Sequence, residues 1–296
     1  MHRSVLVVAC ILFSLSCTVF GQLPNTNIFI FDLKQEEDGF TLENGSFVSS
    51  FNPSGYNNQP HFIDAQTLLI SSDWRSPGST DIYRLELVSG KAIRLTATSQ
   101  NEFSPSFDKV NGMIQVVQQE TDTVDSAPSQ LYWAYPEDLD DFGFPILESV
   151  ENVGYYEAVD TNKIALFTVG PPNKLTIYDL SENEEQFVAY NIGRSFRSDG
   201  AGGVYYIQEI GNTRVVRNFS LASGTSRRVA QMLSDQVDFG LTARGDLLAG
   251  QGTKLFLFDM EKRRGWEEVA DLGNLASGNI TRIRVFEDKV GIVLSR

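Results

Sequence analysis

IFIFDL occupies residues 28–33, LTIYDL residues 175–180 and LFLFDM residues 255–260. Near-repetition of a hexapeptide calls for a search for a longer period. Around each copy the same order recurs: an aromatic, a tight polar turn, an apolar run, a loop, the hexapeptide, a second turn and a last short run. Aligned on the aromatic, the repeat marks fall at Phe62, Phe107, Tyr156, Phe196 and Phe239, with Ile283 as an aliphatic substitute. The gaps are 45, 49, 40, 43 and 44 residues. Four-stranded propeller blades repeat every ~40–45 residues.

The apolar runs are short and β-rich: 68–70, 114–117, 164–167, 204–207, 247–249 and 290–294. Hexapeptide-like strands follow at 82–87, 131–136 and 216–221 in the remaining units. Alternating aliphatics in LTIYDL fit a strand with two packed neighbours. Only the stretch around Val229–Leu233 comes near helical spacing, and a short helical turn is the expectation there. Asn111-Gly112, Asp199-Gly200, Ser89-Gly90 and Ser223-Gly224 stand where hairpin turns need them, because glycine supplies positive φ and Asn or Asp tolerates it. The first hexapeptide lacks a preceding strand pair, and the runs at 283–286 and 290–294 lack a following one. The expected fold is therefore an all-β, six-bladed β-propeller with four antiparallel strands per blade. N-terminal strands complete the C-terminal blade and close the ring.

The start of the chain reads as a signal peptide over residues 1–21. His2 and Arg3 precede the apolar stretch Val5–Leu15, and Val19-Phe20-Gly21 offers the small residues of a cleavage site. A lipoprotein reading at Cys17 stays open, although Ser14-Leu15-Ser16 lacks the usual branched residue before the cysteine. Residues 22–296 then form one propeller domain, exported to the periplasm or the extracellular space, with no disulfide because Cys10 and Cys17 leave with the signal. Removing Arg3 leaves 23 basic against 38 acidic residues, a net charge of −15. Such a surface disfavours nucleic acid and anionic lipid, and no later apolar run is long enough for a membrane helix. A monomer is expected.

The unit from Gln59 to Phe107 carries Pro60, Phe62, Asp81-Ile82-Tyr83, Leu85-Glu86-Leu87, Gly90 and Arg94-Leu95-Thr96. It resembles the TolB-like, PD40-type (WD40-like) propeller repeat; the other units keep only fragments, such as Ser198-Asp199-Gly200. In that family the propeller commonly serves as a binding platform, in the periplasm or beside a peptidase domain. This chain has room for neither the extra α/β domain of TolB nor a peptidase, so the resemblance implies a stand-alone propeller.

Residue types limit the chemistry. His61 is the one histidine beyond the signal, which excludes multi-histidine zinc sites and leaves a Ser-His-Asp arrangement a single base to use. Asn58, Glu102, Asn152, Asp235 and Asn279 lie just before their innermost strands and are expected to ring one channel mouth. The turn preference of Asn and Asp is the plainer account of each residue taken separately. The loop carrying Trp74 and Arg75 should share that face and joins two residue types enriched at binding hot spots, although Trp74 could instead cover its own blade. Tyr155, Arg194 and Arg282 would sit near the same mouth, suited to an anionic or sugar-like ligand, with His61 at the rim. The expectation is an exported, non-catalytic binding module for a protein, peptide or glycan, without a cofactor. The alternative is a carboxylate- or calcium-dependent propeller hydrolase or lactonase.

Overall fold

Both faces of most central strands are covered, which explains why their apolar runs are short but nearly unbroken. A computed structural model describes residues 23–36, 39–119, 130–136, 144–147, 149–234 and 236–295, with 130–136 and 144 as backbone. The proposed signal peptide and Asp235 lie outside the described residues. The described strands form six antiparallel four-stranded sheets. Blade one comprises Asn57–Asp64, Thr67–Ser72, Asp81–Glu86 and Lys91–Arg94, from the innermost strand outward. Blade two holds Asn101–Asp108, Met113–Gln119, Gln130–Pro136 and Phe144–Pro145; blade three holds Val153–Ala158, Lys163–Thr168, Lys174–Asp179 and Glu184–Tyr190. Blade four holds Ile192–Ser198, Gly203–Ile210, Thr213–Ser220 and Thr225–Gln231. Blade five holds Gly240–Leu241, Leu247–Gln251, Lys254–Phe258 and Trp266–Asp271.

Blade six is assembled from both ends of the described chain. Asn279–Phe286 and Lys289–Ser295 supply its inner pair, Thr26–Glu36 and Gly39–Phe47 its outer pair. Ile28 pairs with Val293, Ile30 with Gly291 and Asp32 with Lys289, whose Nζ donates to Asp32 Oδ1 at 2.7 Å. Thr26 is tied onward to blade one: its Oγ1 donates to the Asn57 carbonyl at 2.9 Å, and Asn57 Nδ2 donates to the Thr26 carbonyl at 3.0 Å.

Six apolar clusters fill the six joints between adjacent blades. Along Thr26–Glu36, Ile28 and Ile30 enter the cluster shared with blade one, while Phe29 and Phe31 enter the one shared with blade five. In blade one, Leu68 and Ile70 face blade six and Leu69 faces blade two. This is the two-residue pleat of a strand used to join three sheets. Five of the six repeat marks, Phe62, Tyr156, Phe196, Phe239 and Ile283, are buried in these joints, and Phe107 packs against one of them.

The expected helical turn at Val229–Leu233 does not form. The segment continues the outer strand Thr225–Gln231, where Ala230 pairs with Val216 and is buried while Arg227 and Arg228 are exposed. Its alternation and an available ladder outweigh the helical spacing. No α-helix occurs among the described residues, and no described helix is long and apolar enough to cross a membrane. The turn chemistry holds at Gly90 and Gly200, whose φ values are +70° and +68°.

Candidate functional site

The innermost strands depart from regular pairing before their midpoints. Register shifts occur between Asn58 and His61, Phe103 and Ser106, Val153 and Tyr155, Ile192 and Phe196, and Ile280 and Arg282. Gln59 and Ser104 adopt positive φ at two of these bulges and clasp each other across blades: Gln59 Nε2 donates to Ser104 Oγ at 3.2 Å, and the Ser104 N–H donates to Gln59 Oε1 at 2.8 Å. Bulges of this kind re-aim side chains. Beyond them, the residues flanking the buried marks line a central cavity of about 420 Å³.

Five blades contribute to that cavity. Its walls include His61, Ser106, Tyr155, Glu157, Arg194, Arg197, Arg282 and Arg284; its rim includes Lys109, Asp160 and Thr161. The rim residues belong to turns between first and second strands, so the cavity reaches the hairpin face of the ring. This is the face opposite to the expected mouth.

The walls are cationic and tightly wired. Arg284 Nη1 donates to both Glu157 carboxylate oxygens at 3.1 and 2.9 Å, bridging blades six and three. Arg282 Nη2 donates to the Tyr155 hydroxyl at 3.0 Å, and its guanidinium lies 5.1 Å from the Tyr155 ring centre. Asp238, buried just before the inner strand of blade five, lies 3.5 Å from Arg197 and 4.0 Å from Arg282, and accepts the Ile283 N–H at 3.0 Å. Arg194 and Arg197 donate to the Thr281 and Ile283 carbonyls, each at 3.0 Å. The Nε groups of Arg194, Arg197 and Arg282 are buried without a hydrogen-bond partner in the structure.

The titrating groups record the positive field. Burial holds His61 well below its usual value, and Arg284, Lys109 and Arg197 push it further down, so it is neutral at pH 7. Burial alone would raise the Tyr155 phenol, but Arg282 and Arg194 outweigh it and the net direction is downward. Burial lowers Arg197, Asp238 opposes it, and Arg284 adds to the lowering.

The sequence-designated residues separate into two groups. His61, Tyr155, Arg194 and Arg282 line the cavity; Asn58, Glu102, Asn152, Asn279, Trp74 and Arg75 do not. The Asn58 side chain accepts the Gln59 N–H at 2.8 Å inside the ring. Glu102 is fully buried beside the joint of blades one and two, accepting from Thr96 Oγ1, Thr98 Oγ1 and Gln118 Nε2; burial pushes its carboxyl up to about 7 against those bonds. Asn152 and Asn279 are exposed, and Asn152 holds a φ of +58° as a turn residue. Trp74 covers its own blade, 4.8 Å from the Phe51 ring and 5.7 Å from the Tyr83 ring, with Arg75 stacked on it at 4.8 Å.

Arg197, Arg284, Glu157 and Asp238 escaped the sequence reading. Their signal was nevertheless written in the repeat: Arg197, Arg284 and Glu157 follow their marks and Asp238 precedes its own. Side chains next to a buried strand residue project to the opposite side. Chemically, Glu157 and Asp238 are committed to guanidinium groups, Asp108 to capping the N–H groups of Val110 and Asn111, and Asp160 to capping Asn162. The arrangement is suited to holding a ligand by charge-assisted hydrogen bonds.

Solved structures place this architecture among known propellers. Putative TolB from Agrobacterium tumefaciens is 12% identical, with 92% of this chain and 99% of that chain covered and a TM-score of 0.65. The fold is TolB-like. A nidogen/laminin complex contains a similar chain at 9% identity, covering 88% of this chain and 97% of that one, TM-score 0.63. TolB from Acinetobacter baumannii is similar over 91% of this chain and 64% of its own, at 12% identity and TM-score 0.58. No protein-family profile matches this chain, and no curated protein sequence does.

Proposed function

We propose that this chain is an exported, non-catalytic binding module whose ligand, a protein, peptide or glycan, enters the central channel from the hairpin face. The observation that carries this reading is the 420 Å³ cavity, walled by polar and charged side chains from five blades. Its size falls within the ~300–1,000 Å³ of ordinary ligand sites. The N-terminal pattern of a basic start, an apolar stretch and small residues supports export. Among similar chains, one belongs to a nidogen/laminin complex, which is consistent with a protein ligand here.

Thr161 is an exposed rim residue on a hairpin turn, so Thr161→Trp should obstruct the entrance while leaving the joints intact. Peptide and glycan arrays probed with the wild type, Thr161→Trp and Arg75→Ala test the proposal. Ligands lost in Thr161→Trp and retained in Arg75→Ala support the hairpin face; the reverse pattern moves the site to the face of Trp74.

A further inference from the structure

The channel concentrates positive charge in a chain whose formal charge is −14. Four arginines, Arg194, Arg197, Arg282 and Arg284, line its walls, whereas two carboxylates, Glu157 and Asp238, answer them. Among the described residues, two guanidinium charges are therefore in excess at the inner end. The rim aspartates do not cancel them by pairing, because Asp108 and Asp160 cap their own turns. His61, held neutral among three cations, adds no charge but reports the same field.

Excess charge away from water is costly unless a counter-charge meets it. The neighbouring backbone meets it only in part. Arg194 and Arg197 spend Nη groups on carbonyls, yet the Nε–H donors of Arg194, Arg197 and Arg282 stay unused. These Nε–H groups are themselves buried, but all three side chains line the cavity, and a guanidinium group presented there matches carboxylate and phosphate oxygens.

We propose that the inner end of the channel is a binding site for a small organic polyanion, a molecule bearing two or more carboxylate or phosphate groups, held by Arg194, Arg197 and Arg282. The assignment rests on the reading of the channel as a ligand site and goes beyond it, adding a small anionic ligand to the protein, peptide or glycan proposed above. Tyr155 supplies a wall of the site and orients Arg282. Glu157 sets the affinity from the other side by neutralising Arg284.

Calorimetric titration of the full-length processed protein at low ionic strength tests this, with citrate, pyrophosphate and glucose as probes and chloride at matched ionic strength as the control. Citrate or pyrophosphate should bind and raise the melting temperature beyond the chloride control, while glucose should do neither. Comparing the two anions distinguishes a carboxylate site from a phosphate site. Arg282→Gln should weaken the anion about tenfold or more, the loss expected for one charge-assisted partner. Since that variant also frees Asp238 and Tyr155, Glu157→Gln provides an independent arm. It adds one net positive charge, so it should tighten the anion even as it lowers stability; an arginine cluster with a purely structural role would shift stability and leave affinity unchanged. Absence of heat and of any melting shift beyond chloride overturns the proposal, as does equal affinity in Arg194→Gln/Arg282→Gln and the wild type. If anions fail while a Thr161→Trp-sensitive ligand still binds, only the anionic chemistry falls. If no ligand responds to Thr161→Trp either, the channel reading falls with it.

Discussion

Arg284 reaches from blade six to Glu157 on blade three and grips both carboxylate oxygens, at 3.1 and 2.9 Å. The two side chains keep 20% and 17% of their exposure, so the pair is largely withdrawn from water. Removing one partner from such a pair leaves the other uncompensated, a loss of ~3–5 kcal/mol where burial is complete. Glu157→Gln should therefore destabilise the ring by somewhat less, about 2–3 kcal/mol on that scale. The double change Glu157→Leu/Arg284→Met should recover most of the loss. Urea denaturation of the set measures both, and a loss below ~0.5 kcal/mol for Glu157→Gln, the range of an ordinary surface change, would show that water carries the pair.

Ring closure puts Ile28 in the joint with blade one, fully buried beside Val293 and Phe62. Ile28→Ala should cost ~2–5 kcal/mol, the range for core isoleucine truncation. Val88→Ala, at a residue 82% exposed, should stay within ~0.5 kcal/mol. Comparable losses at both positions in chemical denaturation would mean that the first strand does not carry the closure.

The fold was legible because a propeller writes each strand in the same place six times. Ile28 and Ile30 turn to one neighbour and Phe29 and Phe31 to the other, so burial on both sides leaves a repeated apolar hexapeptide. The site was half legible. Tyr155, Arg194 and Arg282 were recognisable as channel residues, but bulges decide how far along the channel each side chain points, and bulges leave little trace in composition. Asn58 and Glu102 illustrate the failure. Both precede a mark at the expected distance, yet one folds back on the Gln59 N–H and the other serves a hydrogen-bond cluster beside the joint of blades one and two.

Glu102 makes stability pH-dependent. Its carboxyl titrates near 4.5 when unperturbed and is pushed up to about 7 in the fold, chiefly by burial. A raised folded-state value means that the native state binds the proton more tightly than the unfolded chain. Its contribution is fully present below about 4.5, declines as pH rises through the window to about 7, and is lost above it. Glu102→Gln cannot titrate. The stability difference between wild type and Glu102→Gln should thus shift in favour of the variant across that window and level off above it. Denaturation midpoints taken from pH 4 to 8 provide the check, and a pH-independent difference would place the native carboxyl at its ordinary value.

Blade five meets blade six with almost no room, and glycine makes the contact feasible. A Cβ on Gly250 would stand 2.3 Å from Ile280 Cβ, and one on Gly240 would stand 2.7 Å from Ile283 Cγ2. Neither glycine has a positive φ, so the requirement is space and not backbone conformation. Ile280 and Ile283 sit in the buried joint between the blades and have little freedom to retreat. Gly250→Ala should therefore destabilise by ~1–3 kcal/mol, the usual cost of overpacking. Ile280→Ala alone should lose ~2–5 kcal/mol by opening a cavity. The two changes touch the same space, so the added methyl fills part of what the truncation vacates. The double variant should be more stable than the sum of the single losses, by ~0.5–3 kcal/mol as a coupling energy. Strict additivity in the denaturation cycle would show that blade six shifts as a body instead of meeting Gly250 through Ile280.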